Sequence, residues 1–371
     1  MSMRYIQIDI LLFIGILSIC SCSFKNDYPR QANLVQIDLS YQKTQFPLSS
    51  FIDDISTIKL ELPTPYFWGV VTDVLFADST LFVVDKKQGN IFRFKKDGTF
   101  LNKIGSRGGA PGEFLSLHRF FIGDQYVFVN DLNVRKIHYY AHSGDYVKSI
   151  SSTYELVYDD IVALPDGKFL CHDIEGYKDE SKIWLMNEKG EKERTLLFHE
   201  DNYPYSYTDW NTINTTMDNQ LNILDPITGT FYLYDIEREK LTETLRLVSK
   251  EKDLSAFGGI ENLSQIKDKY AYLSFAIDTD SYVYSIWSTS DNIALCSLYA
   301  KEEKKIDVFR MPEMDFLGYS ICPIPVSTNL PDVMVAIMTD EYPLEYFPDQ
   351  YQDGVSEQVV IVYIMKFKQP R

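Results

Sequence analysis

Leu81-Phe-Val-Val-Asp85, Ile91-Phe-Arg-Phe94, Lys96-Asp97-Gly98 and Phe100-Leu-Asn-Lys-Ile104 follow one another along the chain. The same succession returns as Val127-Phe-Val-Asn-Asp131, Ile137-His-Tyr-Tyr140, Ser143-Gly144-Asp145 and Tyr146-Val-Lys-Ser-Ile150. Each unit reads strand, turn, strand, Gly-containing turn, strand, which are the hairpin signals of a meandering antiparallel sheet. A third unit runs Phe169-Leu-Cys-His-Asp173, Ile183-Trp-Leu-Met186, Glu188-Lys189-Gly190 and Arg194-Thr-Leu-Leu197. A looser fourth has Leu221-Asn-Ile-Leu-Asp225, Phe231-Tyr-Leu-Tyr234 and Leu241-Thr-Glu-Thr-Leu245, and a fifth has Tyr282 to Ile286, Ile293 to Leu298 and Ile306 to Phe309.

The aspartates that close the first strand of these units, Asp85, Asp131, Asp173 and Asp225, are 46, 42 and 52 residues apart. That period suits a four-stranded propeller blade, for which about 40–50 residues is typical. One blade cannot bury both of its faces, whereas a radial stack of blades can, and it leaves only short edges. The fold class is therefore all-β, a six-bladed β-propeller of four-stranded antiparallel blades. The sixth unit is a weaker one over Tyr319 to Met338. Ile58-Lys-Leu-Glu-Leu62 near the start and Val359 to Phe367 near the end are strong strands, and they are expected to share a sheet that closes the ring.

Composition agrees. The 371 residues are 45% hydrophobic, enough for a sizeable core, and include 26 Tyr and 23 Phe, types that favour strands. The net charge is −17, and removal of residues 1–21 takes away one base, Arg4, and one acid, Asp9, leaving it unchanged. Such a surface repels nucleic-acid phosphates and disfavours lying flat on anionic lipid. Cys171, Cys296 and Cys322 lie in apolar or strand-like runs without a Cys-x-x-Cys pair, so buried thiols are expected ahead of a disulfide between two of them.

The amino end has a basic start at Arg4, an apolar run from Ile10 to Ile19, and then Cys20-Ser-Cys22 before a polar stretch. That is the order of a secretory signal peptide, and the run is short for a membrane span, which needs about 20 apolar residues. Ile19-Cys20-Ser21-Cys22 resembles the lipobox of bacterial lipoproteins, with a small residue before the acylated cysteine. The resemblance implies a signal peptide over 1–21, a diacylglyceryl and palmitate-type anchor on Cys22, a tether over 22–33 and a propeller domain over 34–371. Several acyl chains anchor stably where one does not, so the expected address is the cell envelope, at the outer membrane.

Gly108-Gly-Ala-Pro-Gly-Glu-Phe114 lies where one unit ends and the next begins. It resembles the linker between NHL repeats, and more closely that of the six-bladed propeller lipoproteins of Gram-negative gut anaerobes, where Gly-x-Gly-Pro-Gly-Glu-Phe recurs. This chain departs from that pattern by one residue. The resemblance is specific over about residues 55–150 and implies the fold rather than an activity. The same loop lacks the Gly-Lys-[Ser/Thr] ending of a phosphate cradle and leads into a strand rather than a helix. Asp78-Ser-Thr80 resembles a short O-glycosylation sequon, against the simpler reading of a turn.

Catalytic signatures are missing. The histidines His118, His138, His142, His172 and His199 form no zinc spacing, and no nucleophile elbow or calcium loop occurs, so no cofactor and no metal is expected. In a propeller the innermost strands line the central channel. Aligning the units on Asp85 and Asp131 places Asp73 opposite Arg119, with Asp160 nearby in the third unit and Trp210 on the approach to the fourth. A ring of mixed charge with an aromatic suits a polar ligand or peptide, unless these residues pair with one another and fill the channel mouth. The expected function is a membrane-anchored binding module for a glycan, peptide or envelope protein, with no nucleic-acid partner. The alternative is a polysaccharide hydrolase or lyase acting at the channel mouth.

Overall fold

Alternation within the apolar runs decides how each strand is used. In the strand Thr80–Asp85, Leu81 and Val83 pack to one side, while Phe82 and Val84 pack to the other. This is the period-two consequence of the pleat. All six residues of that strand are buried, because a further sheet covers each face.

The computed structural model describes residues 33–40, 42–152, 158–174, 180–199, 211–216, 220–250, 271–289, 294–317, 322–323, 325–343, 345, 347, 351–352, 356 and 358–369. They form six blades. Blade 1 is Asp73–Phe76, Thr80–Asp85, Asn90–Lys95 and Phe100–Lys103, in that order from the inside outward. Blade 2 is Arg119–Ile122, Tyr126–Asp131, Lys136–Ala141 and Tyr146–Ser151, and blade 3 is Asp160–Ala163, Phe169–His172, Ser181–Met186 and Lys192–Phe198. Blade 4 is Ile213–Thr215, Leu221–Asp225, Thr230–Asp235 and Lys240–Ser249, and blade 5 is Tyr272–Asp278, Tyr282–Ser288, Ala294–Ala300 and Lys305–Phe309. Blade 6 has Pro325–Val326, Val333–Met338 and Val359–Phe367 inside, and takes Ile52–Glu61 as its outer strand. The two chain ends therefore close the ring in one sheet, as expected, with Ile58 opposite Val362 and Leu60 opposite Val360.

The aspartates that set the repeat end, or in the case of Asp173 directly follow, the second strand of each blade, so the repeat seen in sequence is one strand out of phase with the blade. The carboxylates of Asp85, Asp131 and Asp225 hold the following turn. Asp85 accepts from the Gln88 amide at 3.0 Å, Asp131 from Asn133 at 3.1 Å and Asp225 from Ile227 at 3.0 Å. The last position of that turn is left-handed, and Gly89 and Gly229 fill it without a steric cost where Arg135 accepts one.

Burial divides into six apolar clusters, one between each pair of neighbouring blades. Phe82 and Val84 of blade 1 meet Phe120 and Val129 of blade 2, for example, and Val335 and Val362 of blade 6 meet Val74 and Val83 of blade 1. Cys171, Cys296 and Cys322 are free thiols inside these clusters, as composition suggested. Thr80 is 5% exposed, and its carbonyl accepts from Ala77 at 2.9 Å, so Asp78-Ser-Thr80 is turn and strand.

One element was not legible in sequence. Asn33–Ile37 adds a fifth strand to blade 4, parallel to Lys240–Ser249, with Ile37 opposite Ser249. The chain then bridges to blade 5 at Lys43–Phe309 and Pro47–Glu313 before entering blade 6. It thus straps the outer edges of three consecutive blades, with its own Val35, Ile37, Phe46, Leu48 and Phe51 buried against them.

Candidate functional site

The inner strands begin on one side of the ring, called upper here, where the turns after the second strands also lie. Asp73, Arg119 and Asp160 are the first residues of the inner strands of blades 1, 2 and 3. The alignment on the repeat aspartates thus brings them to equivalent positions. All three are buried, at 0%, 2% and 2% exposure. Trp210 and Cys22 lie outside the described residues.

Each charge finds an opposite. Arg119 Nε lies 3.3 Å from Asp160 Oδ1, and Lys86 Nζ lies 3.2 Å from Asp73 Oδ2. Asp73 Oδ2 also accepts from Thr72 Oγ1 at 2.6 Å. Asp160 accepts from its neighbour Ile161 at 2.9 Å, and across the blade boundary from the amides of Thr212 at 2.6 Å and Ile213 at 2.9 Å. Thr212 Oγ1 is hydrogen-bonded in turn to His172 Nδ1 at 2.8 Å. Lys182 of blade 3 pairs with Asp225 of blade 4, and Asn222 of blade 4 donates to Asp278 of blade 5 at 3.0 Å. Ser327 pairs with blade 1 through its backbone, its carbonyl accepting from Val74 at 2.9 Å, and its hydroxyl accepts from the Asn211 amide at 3.0 Å. The polar ring is therefore a set of latches between blades.

Burial sets the protonation of the groups around it. His118 is pushed down to about 3 by burial and then by the Arg119 and Lys86 charges beside it. His172 is likewise pushed down to about 3 by burial. The Asp159 carboxyl is pushed up to about 6 by burial, against a hydrogen bond from the Ile174 amide at 2.7 Å. Lys86 is lowered by burial and by Arg119. Burial opposes ionisation of Asp225, yet the Lys182 ammonium holds its carboxyl below the ordinary value.

A cavity of about 40 Å³ lies along the inner strands of blades 4 to 6, beside Asn211, Asn214, Thr215, Phe275, Ser327 and Leu330. That is room for a few water molecules. Among the described residues no group of three or more metal-ligating side chains occurs, and no helix is long and apolar enough to cross a membrane. What sequence reasoning missed is the partner set: Lys86, Thr212, His172, Lys182 and Asp225. They belong to turns and to neighbouring blades, and although the repeat spacing marks Asp225, nothing in the chain shows which groups they bond.

The geometry can be set beside known proteins. No curated protein matches the chain. Among solved structures, a protein of Bacteroides fragilis NCTC 9343 described as exported superposes with a TM-score of 0.71 at 16% identity, covering 91% of this chain and all of its own. A DUF4221 member from Bacteroides vulgatus ATCC 8482 gives 0.55 at 9% identity, covering 86% of this chain and 98% of its own. At these identities the likeness is one of fold. The profile of the family described as "Domain of unknown function (DUF4934)" spans residues 34–358, and the chain belongs to that family.

Proposed function

We propose that this protein is an exported, lipid-anchored propeller that works as an interaction module for a partner in the cell envelope, rather than as an enzyme. The observation that carries this reading is the mutual neutralisation of Asp73, Lys86, Arg119 and Asp160. Glycoside chemistry needs two carboxylates open to substrate, about 5–10 Å apart. Here the Asp73 and Asp160 side chains are 1% and 3% exposed and already bonded. Fold does not decide between the two roles, because propellers host both. The anchor rests on the lipobox resemblance at Cys22, the NHL-like relation rests on Gly108 to Phe114, and export accords with the description of the Bacteroides fragilis structure.

The test uses intact cells of a strain expressing the chain. Metabolic labelling with palmitate should mark the wild type and Cys20→Ala, and should miss Cys22→Ala. Cross-linking should then trap a protein partner. Depolymerisation of any polysaccharide in a panel, abolished by Asp73→Asn or Asp160→Asn in a folded protein, would overturn the reading in favour of a hydrolase or lyase.

A second reading keeps a polar ligand, glycan or peptide, at the channel mouth through Asp73, Arg119, Asp160 and Trp210. It is favoured by Asp73 Oδ1, a buried oxygen that receives no hydrogen bond from a described residue. Binding on a glycan and peptide array that Arg119→Ala and Asp73→Ala both remove, with folding retained, would support it.

A further inference from the structure

Four large apolar side chains are exposed on the upper side of blades 1 and 2: Phe67 at 54%, Val70 at 53%, Leu115 at 42% and Val134 at 38%. All lie on segments that join strands there. Residues 62–72 lead into blade 1, residues 104–118 lead into blade 2, and residues 132–135 turn between the second and third strands of blade 2. Contacts make these segments one surface. Gly69 abuts Asp85 and Gln88 of the blade 1 turn so closely that a Cβ would meet Gln88 Nε2 at 2.3 Å. A Cβ on Gly89 of that turn would lie 3.8 Å from the Phe114 ring. The Leu115 amide donates to Asp131 at 2.5 Å, and the Asn133 amide to Ser116 Oγ at 3.4 Å.

The exposed side chains are held out by neighbours packed into the core. Tyr66 and Trp68, on either side of Phe67, each pack on Phe92 with ring centroids 5.5 Å apart, and Trp68 Nε1 donates to the Gln358 carbonyl at 2.9 Å. Phe114, just before Leu115, is 1% exposed. A preordered apolar surface loses little conformational freedom on binding.

Its charge runs against the rest of the molecule. On a chain of net charge −17, these segments and their margins expose Lys87, Arg107 and Lys136, with Arg135 half-buried. Within the segments the acid is Glu113, its carboxylate engaged by the Ala110 amide at 2.9 Å and Ser106 Oγ at 3.3 Å. At the margins Asp73, Asp85 and Asp131 are buried, and the exposed Glu61 lies 3.2 Å from Lys59 Nζ.

We infer that this arc docks an acidic segment of a partner protein that carries one or two large apolar side chains. The apolar groups cover Phe67, Val70, Leu115 and Val134, and the carboxylates meet Lys87, Arg107 and Lys136. An anionic membrane offers similar chemistry, but a plane is wider than the Debye length of about 8–10 Å and would meet the acidic surface around the arc as well. A peptide meets the arc alone. This deepens the interaction reading and rests on it.

The experiment takes the full chain in detergent and an array of short Glu-rich peptides bearing Phe or Leu. Matched peptides replace Glu by Lys, or the apolar residues by Ser. Vesicles of phosphatidylglycerol form a second arm. The acidic apolar peptides should be retained about tenfold better than either matched set, and Phe67→Ser or Leu115→Ser should each cost about tenfold, the effect of losing one anchor. The double change Lys87→Glu with Arg107→Glu should turn the preference toward the Lys peptides. Equal retention of acidic and basic peptides, or retention indifferent to Leu115→Ser, overturns the inference. Vesicle binding lost in Leu115→Ser, with no peptide preference, overturns it in favour of lipid. A partner cross-linked in cells equally well by Leu115→Ser overturns this surface alone and leaves the interaction module standing.

Discussion

Blades 1 to 3 and blades 4 to 6 are built from the same four-stranded unit, yet they finish their outer edges differently. The outer strands Tyr146–Ser151 and Lys192–Phe198 are largely open to solvent, and they carry Lys148, Lys192 and Arg194. Charged residues on a bare edge discourage pairing with another chain. The outer strands of blades 4 and 5 instead end in buried residues, because the segment from Asn33 onward covers them. The small cavity lies among these covered blades, beside the polar inner-strand residues Asn214 and Thr215. The first three blades carry the buried charged latches of the inner ring. The other three line a small cavity with their inner strands and gain an apolar strap on the outside.

The strongest way to break this contrast is to empty the strap. Phe51 is fully buried and packs against Phe46, Tyr284 and Phe367. Phe51→Ala should cost about 3–5 kcal/mol in urea unfolding. Val147→Ala, on the bare outer strand of blade 2 and 45% exposed, should stay within about 0.5 kcal/mol. Equal effects would show that the strap adds no more than an exposed edge does.

Next comes the polar ring of the unstrapped half. Asp160→Asn keeps an acceptor for the Thr212 and Ile213 amides but removes the negative charge 3.3 Å from the buried Arg119 Nε. A loss of about 3 kcal/mol is expected, and Arg119→Met with Asp160→Asn should recover part of it. A double variant no better than the single would mean that the pair contributes through packing alone.

The turn glycines offer a sharper comparison at equivalent sites. Gly89 and Gly229 share positive φ, 71° and 65°. A Cβ at Gly89 meets its first neighbour at 3.8 Å, whereas at Gly229 it would meet the Leu247 carbonyl at 1.9 Å. Gly89→Ala should cost about 1 kcal/mol from backbone strain, and Gly229→Ala should cost more, because its own outer strand must move. Equal melting temperatures would rule out the tighter packing of blade 4.

Acid should act on the two halves unequally. His118 and His172 are neutral in the fold, with values about 3 against an ordinary 6.5. The stability they contribute is complete above pH 6.5 and is lost as pH falls toward 3. Asp159, raised to about 6, acts oppositely, losing stability as pH rises from about 4 through 6, and Asp85, Asp278 and Asp332, raised by burial, act with it. Asp225, held low by Lys182 against burial, acts with the histidines, whose shifts are larger than that of Asp159. The net expectation is a melting temperature that falls by a few degrees between pH 6.5 and 4, with amide exchange rising first in blades 2 and 3. His172→Asn should flatten the fall, since its side chain still reaches toward Thr212. Faster exchange in blades 4 to 6 would contradict this account.

The repeats were legible because each blade carries its own apolar alternation and four of them a turn aspartate, signals local enough to survive in a single sequence. The ring closure was legible for the same reason, through two long strands at opposite ends. The strap was not, because Leu34-Val-Gln-Ile37 is short, and parallel pairing to a distant edge leaves no turn between the partners. At the channel mouth, Asp73, Arg119 and Asp160 could be aligned through the repeat. Their bonding could not, since Lys86 reaches from a turn and Thr212 from the next blade, and only the closed ring brings them together.

The direction of the strap bears on how the molecule is presented. Asn33–Ile37 runs with the outer strand of blade 4, from the lower side toward the upper one. Asn33 therefore lies on the lower side, on the opposite side of the ring from Phe67, Val70, Leu115 and Val134. A pull on the strap at Asn33 acts along the strand, so it loads the paired positions from Asn33 to Ile37 together, in shear, rather than peeling them apart one at a time.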